Sequence, residues 1–206
     1  MSHENMEYVH PLPVRIWHWV NAAGFILLVI TGFQIRFAEY LGYMSFETAV
    51  TVHNWVGFIV IADYFLWFLY YFGTGKIRIY YPDLNTFIPR MIKQAQFYGY
   101  GIFVGDENPH HMTADNKFNA MQQKAYIMIM FILVPLQLLT GLFLWDITQF
   151  SGFVDFMGGV KIVDTIHVFL FYFFVTFMFV HAYLSTLGHT ATAHMIAMFT
   201  GWEEHH

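Results

Sequence analysis

Four stretches of the chain hold almost only apolar side chains, and the polar positions gather between them: Val14–Ile35, Thr48–Phe72, Gln122–Trp145 and Val160–Leu184. Each is long enough to cross roughly 30 Å of hydrocarbon, which takes about 20 helical residues. A backbone surrounded by lipid must satisfy its own hydrogen bonds, so these stretches are predicted to be helices. Breakers separate them: Gly42 after the first, Gly73 and Gly75 after the second, and Gly152, Gly158 and Gly159 before the fourth. Pro135 lies inside the third and should kink it. The expected fold is all-α, a four-transmembrane-helix bundle forming one membrane domain over residues 1–206, without internal repeats or low-complexity tracts.

The loops differ in charge. The connection from Gly73 to Met121 carries Lys76, Arg78, Arg90, Lys93 and Lys117, with Lys124 just beyond, whereas the first and third loops hold only Arg36 and Lys161. The positive-inside rule puts the long loop, and with it both termini, in the cytoplasm. Arg15 at the head of the first helix agrees. Within the long loop Leu84, Phe87, Ile88, Met91, Ile92 and Ala95 recur at helical spacing, opposite Arg90, Lys93, Gln94 and Gln96. That pattern predicts an amphipathic helix on the inner membrane surface, though Pro89 interrupts it. The start of the chain lacks the basic region and cleavage site of a signal peptide, so the first apolar stretch is expected to remain as a span.

Composition sharpens the membrane reading. Of 206 residues, 57% are hydrophobic and only 11% charged, against about 25% charged in an ordinary soluble domain. The formal charge of -5 suggests neither nucleic acid nor an acidic substrate as partner. The chain has no cysteine, which excludes disulfides, cysteine-held iron–sulfur clusters and covalent c-type haem attachment.

Twelve histidines in so uncharged a chain call for a use. Metal-binding side chains inside spans are costly and usually functional, and His18, His53, His167 and His181 fall within or at the ends of spans. The expected topology sorts them by depth. His18 and His181 lie near the cytoplasmic face, and His53 and His167 near the outer face. His167 and His181 are fourteen residues apart, so they share a helix face and stand roughly 21 Å apart along the axis. Two stacked b haems would fit, each held by two neutral imidazoles, an arrangement suited to electron transfer. Any one such histidine could be an interfacial residue bonded to a carbonyl; four that pair by level are not explained that way. His3, His10, His110, His111, His189, His194, His205 and His206 lie outside the spans, where a surface role is the ordinary reading.

The residues Arg15, Ile16, Trp17, His18, Trp19 and Val20, followed by Thr31 and Gly32, resemble the first helix of the dihaem cytochrome b subunits of nickel–iron hydrogenases, formate dehydrogenases (gamma subunit) and thiosulfate reductases. The His167–His181 spacing, with Phe177 four before the second, resembles that family's fourth helix. Lys117, Phe118, Asn119, Ala120, Met121 and Gln122 resemble an element of formate dehydrogenase gamma subunits. The resemblance implies a bacterial-type inner-membrane protein with two haem b groups and an outer catalytic partner that feeds electrons through an iron–sulfur subunit. Electrons would then reach a menaquinone or ubiquinone near the cytoplasmic face. It also implies that His181, Asn119, Gln122 and, through its backbone, Met121 border the quinone. Asp164 and Val168 depart from the pattern, since basic residues are common there in hydrogenase subunits, and Met121 replaces a frequent glycine.

Asp63 sits near mid-membrane, where an unpaired carboxylate costs several kcal/mol and so must be protonated or partnered. Either a proton relay or a hydrogen bond to a neighbouring helix would meet that need. Gly24, Gly32 and Gly57 are expected to allow close approach of a haem or another helix. Two further functions share the same features: a self-contained dihaem membrane oxidoreductase such as a superoxide:quinone oxidoreductase, and a structural anchor with vestigial histidines.

Overall fold

The computed structural model describes residues 6–83, 85–110, 118–187 and 190–204. Leu84, Lys117, His3, His111, His189, His205 and His206 from the sequence reading lie outside them.

A short strand, β1 (Met6–Tyr8), leads into α1 (Leu12–Arg36). Pro13 falls in the first turn of α1, where its missing N–H is not needed, so the helix starts ahead of the expected Val14. Next comes α2 (Phe46–Gly73), capped by the Ser45 hydroxyl, which accepts the Thr48 amide at 3.1 Å. The long connection contains a 3-10 turn (Lys76–Tyr80), α3 (Phe87–Gln96), a wide π turn (Phe97–Gly101) and α4 (Ile102–Val104).

The third span is built in three parts: α5 (Ala120–Met128), a π turn (Ile129–Leu133) and α6 (Val134–Trp145). Pro135 explains the division. It lacks an N–H and its ring crowds the carbonyl four residues back, so the turn just before it widens. Tyr64 of α2 donates its hydroxyl to the Met130 carbonyl inside that wide turn at 2.9 Å. A short α7 (Ser151–Phe156) contains Gly152, which the sequence reading took as a breaker. The positive φ of Gly158 and Gly159 then starts α8 (Val160–Ser185), and α9 (Ala193–Thr200) and β2 (Trp202–Glu204) close the chain.

Four helical spans, 12–36, 46–73, 120–145 and 160–185, are long and apolar enough to cross a membrane. Their outward faces carry large exposed apolar side chains; Phe65, Leu66 and Leu69 of α2 are 58–65% exposed. A soluble protein rarely leaves so much apolar surface contiguous, and lipid covers it here. Inside, α1 packs along α2 and α6 along α8, while α2 touches α6. The α1–α2 contact is close at Gly24, where a Cβ would lie 2.6 Å from Val60 Cγ2. At Gly57 a Cβ would meet nothing within 4 Å, so no neighbouring helix approaches there. Aromatic rings bridge α1 and α8: Phe25 to Phe174 at 5.5 Å and Phe33 to Phe171 at 5.0 Å. At the other side of the core Trp67, Tyr71 and Tyr80 cluster with Met130, Val134 and Phe174.

The two ends of the chain meet. β1 and β2 pair antiparallel with Tyr8 opposite Trp202, and α9 lies against the start of α1. Trp19 stacks on Phe199 at 4.2 Å and donates its indole N–H to the Met198 carbonyl at 3.1 Å, while Arg15 donates to the Phe199 carbonyl. In α3, Ile88 and Ile92 are exposed, as a lipid-facing side would be. Gln94, placed on the polar side from sequence, is instead buried and donates to Asn108 Oδ1 at 3.2 Å.

Candidate functional site

The four histidines singled out from depth alone meet in two pairs. His18 of α1 and His181 of α8 bring their rings to a centroid separation of 6.1 Å, with planes 51° apart. His53 of α2 and His167 of α8 stand at 6.3 Å with planes 71° apart. These distances are informative. An iron with an imidazole nitrogen about 2.0 Å away on each side, and about 1.2 Å from nitrogen to ring centre, would set two centroids about 6.4 Å apart.

The donor set narrows the choice of ion. Among the described residues no group of three or more His, Asp or Glu converges on a metal-sized site. Each pair therefore offers two nitrogen ligands and leaves the other positions of a six-coordinate ion to be filled from outside the protein. A tetrapyrrole supplies four such ligands in a plane, so the residues present fit haem and do not fit a tetrahedral zinc site.

The ring nitrogens around the second pair are accounted for. Thr31 Oγ1 lies 2.9 Å from His53 Nδ1, and Thr140 Oγ1 lies 3.0 Å from His167 Nδ1. Both threonines are almost wholly buried, at 1% and 0% exposure. The glycines that follow them clear the flank of each ring: a Cβ at Gly32 would come 3.6 Å from His53 Cε1, and one at Gly141 would come 3.1 Å from His167 Cε1. Gln137 Nε2 approaches His167 Nε2 at 3.3 Å. The first pair rests on aromatic rings: His181 stacks on Phe177 at 5.7 Å and His18 meets the edge of Trp19 at 5.1 Å.

Asn119, Met121 and Gln122 sit together at the start of α5. Asn119 is its N-cap: Oδ1 accepts the Gln122 amide at 2.9 Å, while the Gln122 side chain accepts the Asn119 amide at 3.1 Å. This reciprocal box satisfies two otherwise orphaned donors. Asn119 also donates from Nδ2 to the Tyr98 hydroxyl at 3.0 Å and is only 3% exposed, whereas Met121 is 37% exposed. The side-chain hydrogen bonds of Asn119 among the described residues go to Gln122 and Tyr98, not to His181.

Asp63 is buried in α2 and has a partner on the neighbouring helix, Asn21 Nδ2 at 3.4 Å. That contact gives the carboxyl group the partner on a neighbouring helix that its burial calls for. Arg36 Nη1 and Asp164 Oδ2 stand 3.9 Å apart near the His53–His167 end, both about half exposed. Of the remaining histidines, His194 pairs with Glu203 at 3.1 Å, and His10 is buried where its amide bonds to the Gly201 carbonyl. Thr140, Gly141 and Gln137 were not anticipated from sequence.

Comparison with known proteins identifies a family and several relatives. The profile of the family described as prokaryotic cytochrome b561 matches residues 9–201. A putative cytochrome, YdhU, of Escherichia coli is 35% identical over 207 residues, covering 99% of this chain and 77% of its own length. A probable Ni/Fe-hydrogenase B-type cytochrome subunit of Cupriavidus necator is 24% identical, covering 85% of this chain and 77% of the relative. A putative protein-methionine-sulfoxide reductase subunit, YedZ1, of Azospira oryzae is 23% identical, covering 94% of this chain and 96% of the relative. No solved structure matches.

Proposed function

The chain belongs to the prokaryotic cytochrome b561 family, and from that premise we propose that it is a dihaem b-type subunit carrying electrons between an oxidoreductase partner and the membrane quinone pool. Membership, together with the four apolar helices, makes it a multi-pass membrane electron-transfer cytochrome related to hydrogenase cytochrome b subunits. The observation that carries the finer reading is the pair of centroid distances, 6.1 and 6.3 Å, at two sites on one helix. His18 and His181 would hold one haem, His53 and His167 the other. Each haem, when bound, would supply a one-electron couple. The protein's own part is to hold the imidazoles neutral and opposed, and to keep water from the couple with the aromatic wall of α1 and α8.

Two of the relatives bear the word subunit in their names, one of a hydrogenase and one of a methionine-sulfoxide reductase. That favours a complex with a catalytic subunit over a self-contained superoxide:quinone oxidoreductase. Purified protein should release about two haems per chain into acidified solvent, as non-covalent b haem does. A pyridine haemochrome assay that finds one haem, or haem that stays with the polypeptide, would sink the reading.

The pairing of β1 with β2 supports placing both termini on one membrane face, and the basic long loop supports the cytoplasmic face. Exposed Ile88 and Ile92 suit an α3 lying on that surface. Since the chain has no cysteine, single cysteines at Asn85 and Gln96 report the loop without background. They should stay unlabelled by an impermeant maleimide added outside intact cells, while a cysteine at Glu39 should react. Labelling in the opposite pattern inverts the topology. Quinone would bind at the same face, beside the start of α5, where Asn119, Met121 and Gln122 sit together.

A further inference from the structure

Resting on the haem reading above, we infer that Thr31 and Thr140 are positioning residues that select the ligand tautomer of His53 and His167 and hold their rings crossed. The pairs Thr31–Gly32 and Thr140–Gly141 thus act as two matched seats for one haem. Nothing in the names of the relatives assigns these four residues a role.

The argument starts from the single proton of a hydroxyl. Thr31 Oγ1 lies 2.7 Å from the Leu27 carbonyl, and Thr140 Oγ1 lies 2.8 Å from the Leu136 carbonyl. Those are the ordinary lengths of an O–H···O bond. Each hydroxyl proton has a carbonyl four residues back to bond, and a second one three residues back (Leu28 at 3.3 Å, Gln137 at 3.0 Å), so each oxygen is placed to accept from its histidine. In that arrangement Nδ1 carries the imidazole proton, which leaves the lone pair on Nε2, the nitrogen that would face iron. A separate contact agrees at His167: the Gln137 amide nitrogen, a donor, faces Nε2 at 3.3 Å. That is the contact a metal would replace.

The seats are rigid. A buried, β-branched side chain bonded to its own helix has little rotamer freedom, so the acceptor does not move with the ring. The following glycine lets the imidazole lie flat against the helix, with Cε1 3.1 Å from where a Cβ would stand at Gly141. Seats on two different helices, α1 and α6, grip rings carried by α2 and α8 and hold their planes 71° apart. The described ring contacts of His18 and His181 are instead with Trp19 and Phe177. Donating Nδ1–H to an oxygen makes Nε2 a stronger base and stabilises ferric iron, while steeply crossed imidazoles give a strongly anisotropic low-spin ferric resonance.

The test compares Thr31→Val, Thr140→Val and the corresponding Thr→Ser variants in the full haem-loaded protein, by redox titration and electron paramagnetic resonance. With Val, the couple belonging to His53–His167 should shift to higher potential and its resonance should become less anisotropic, while the other couple stays in place. Ser should restore both. Loss of that one haem with Val but not with Ser also supports the seat, because only the hydroxyl differs in kind. Wild-type potentials and resonances in the Val variants would overturn it, as would equal haem loss with Val and Ser. Failure of the haem reading itself looks different: the wild-type protein would then lack a haem that depends on His53 and His167.

Discussion

Replacing any one of the four paired histidines by alanine should leave a protein with about one haem in place of about two, because a bis-histidine b haem has no covalent tether to keep it when an axial ligand goes. The sharper expectation is the grouping. His18→Ala and His181→Ala should abolish the same redox couple and the same low-spin signal. His53→Ala and His167→Ala should abolish the other. The 6.1 and 6.3 Å centroid distances make those partnerships and no others. Because α8 supplies one ligand to each pair, the double variant of His167 and His181 should carry no haem at all while the helices still insert. Measurement is direct: haemochrome content against protein, with a potentiometric titration of each single variant. If His53→Ala and His181→Ala removed the same couple, the level-by-level pairing would be wrong.

That pairing was legible in the sequence because it depends on coarse quantities. Span length sets the number of crossings, the direction of each crossing sets the depth of a residue, and depth decides which histidines can meet. An error of two residues at a helix end changes none of this. Thus α1 starting at Leu12 rather than Val14, because Pro13 is tolerated in a first turn, left His18 at the same level.

What stayed hidden depends on contacts between distant segments. Thr140 lies in the apolar run of the third span, and its hydroxyl satisfied by a local carbonyl looks like filler. The Thr–Gly dipeptide is no guide, since Thr74–Gly75 and Thr200–Gly201 repeat it at helix ends. Only the packing of α6 on α8 shows that Thr140 meets His167. The pairing of Tyr8 with Trp202 likewise joins the two ends of the chain and has no local signal. Gln94 failed for a related reason: helical periodicity assigned it to a polar side, but Asn108 gives its amide a partner inside.

Asn119 caps α5, and substitution can separate that cap from the proposed role toward quinone. Asn119→Ala should slow reoxidation of the haems by added quinone about five- to hundredfold, the effect of losing about 1–3 kcal/mol of hydrogen bonding at a buried site. Both haem spectra should survive. The structure adds a complication, because Asn119 is also the N-cap of α5, and removing a cap costs about 1 kcal/mol of local helix stability. Aspartate distinguishes the two effects. Its carboxylate accepts the Gln122 amide as Oδ1 does and is favoured at a helix start, but it cannot donate to Tyr98 or to a quinone carbonyl. If Asn119 serves quinone, Asp and Ala variants should both reoxidise slowly. If it serves only the cap, the Asp variant should reoxidise at the wild-type rate and the Ala variant should merely melt earlier. In that second case the quinone binds elsewhere, and the region beside His53 and His167 is the next to probe with the same reoxidation assay.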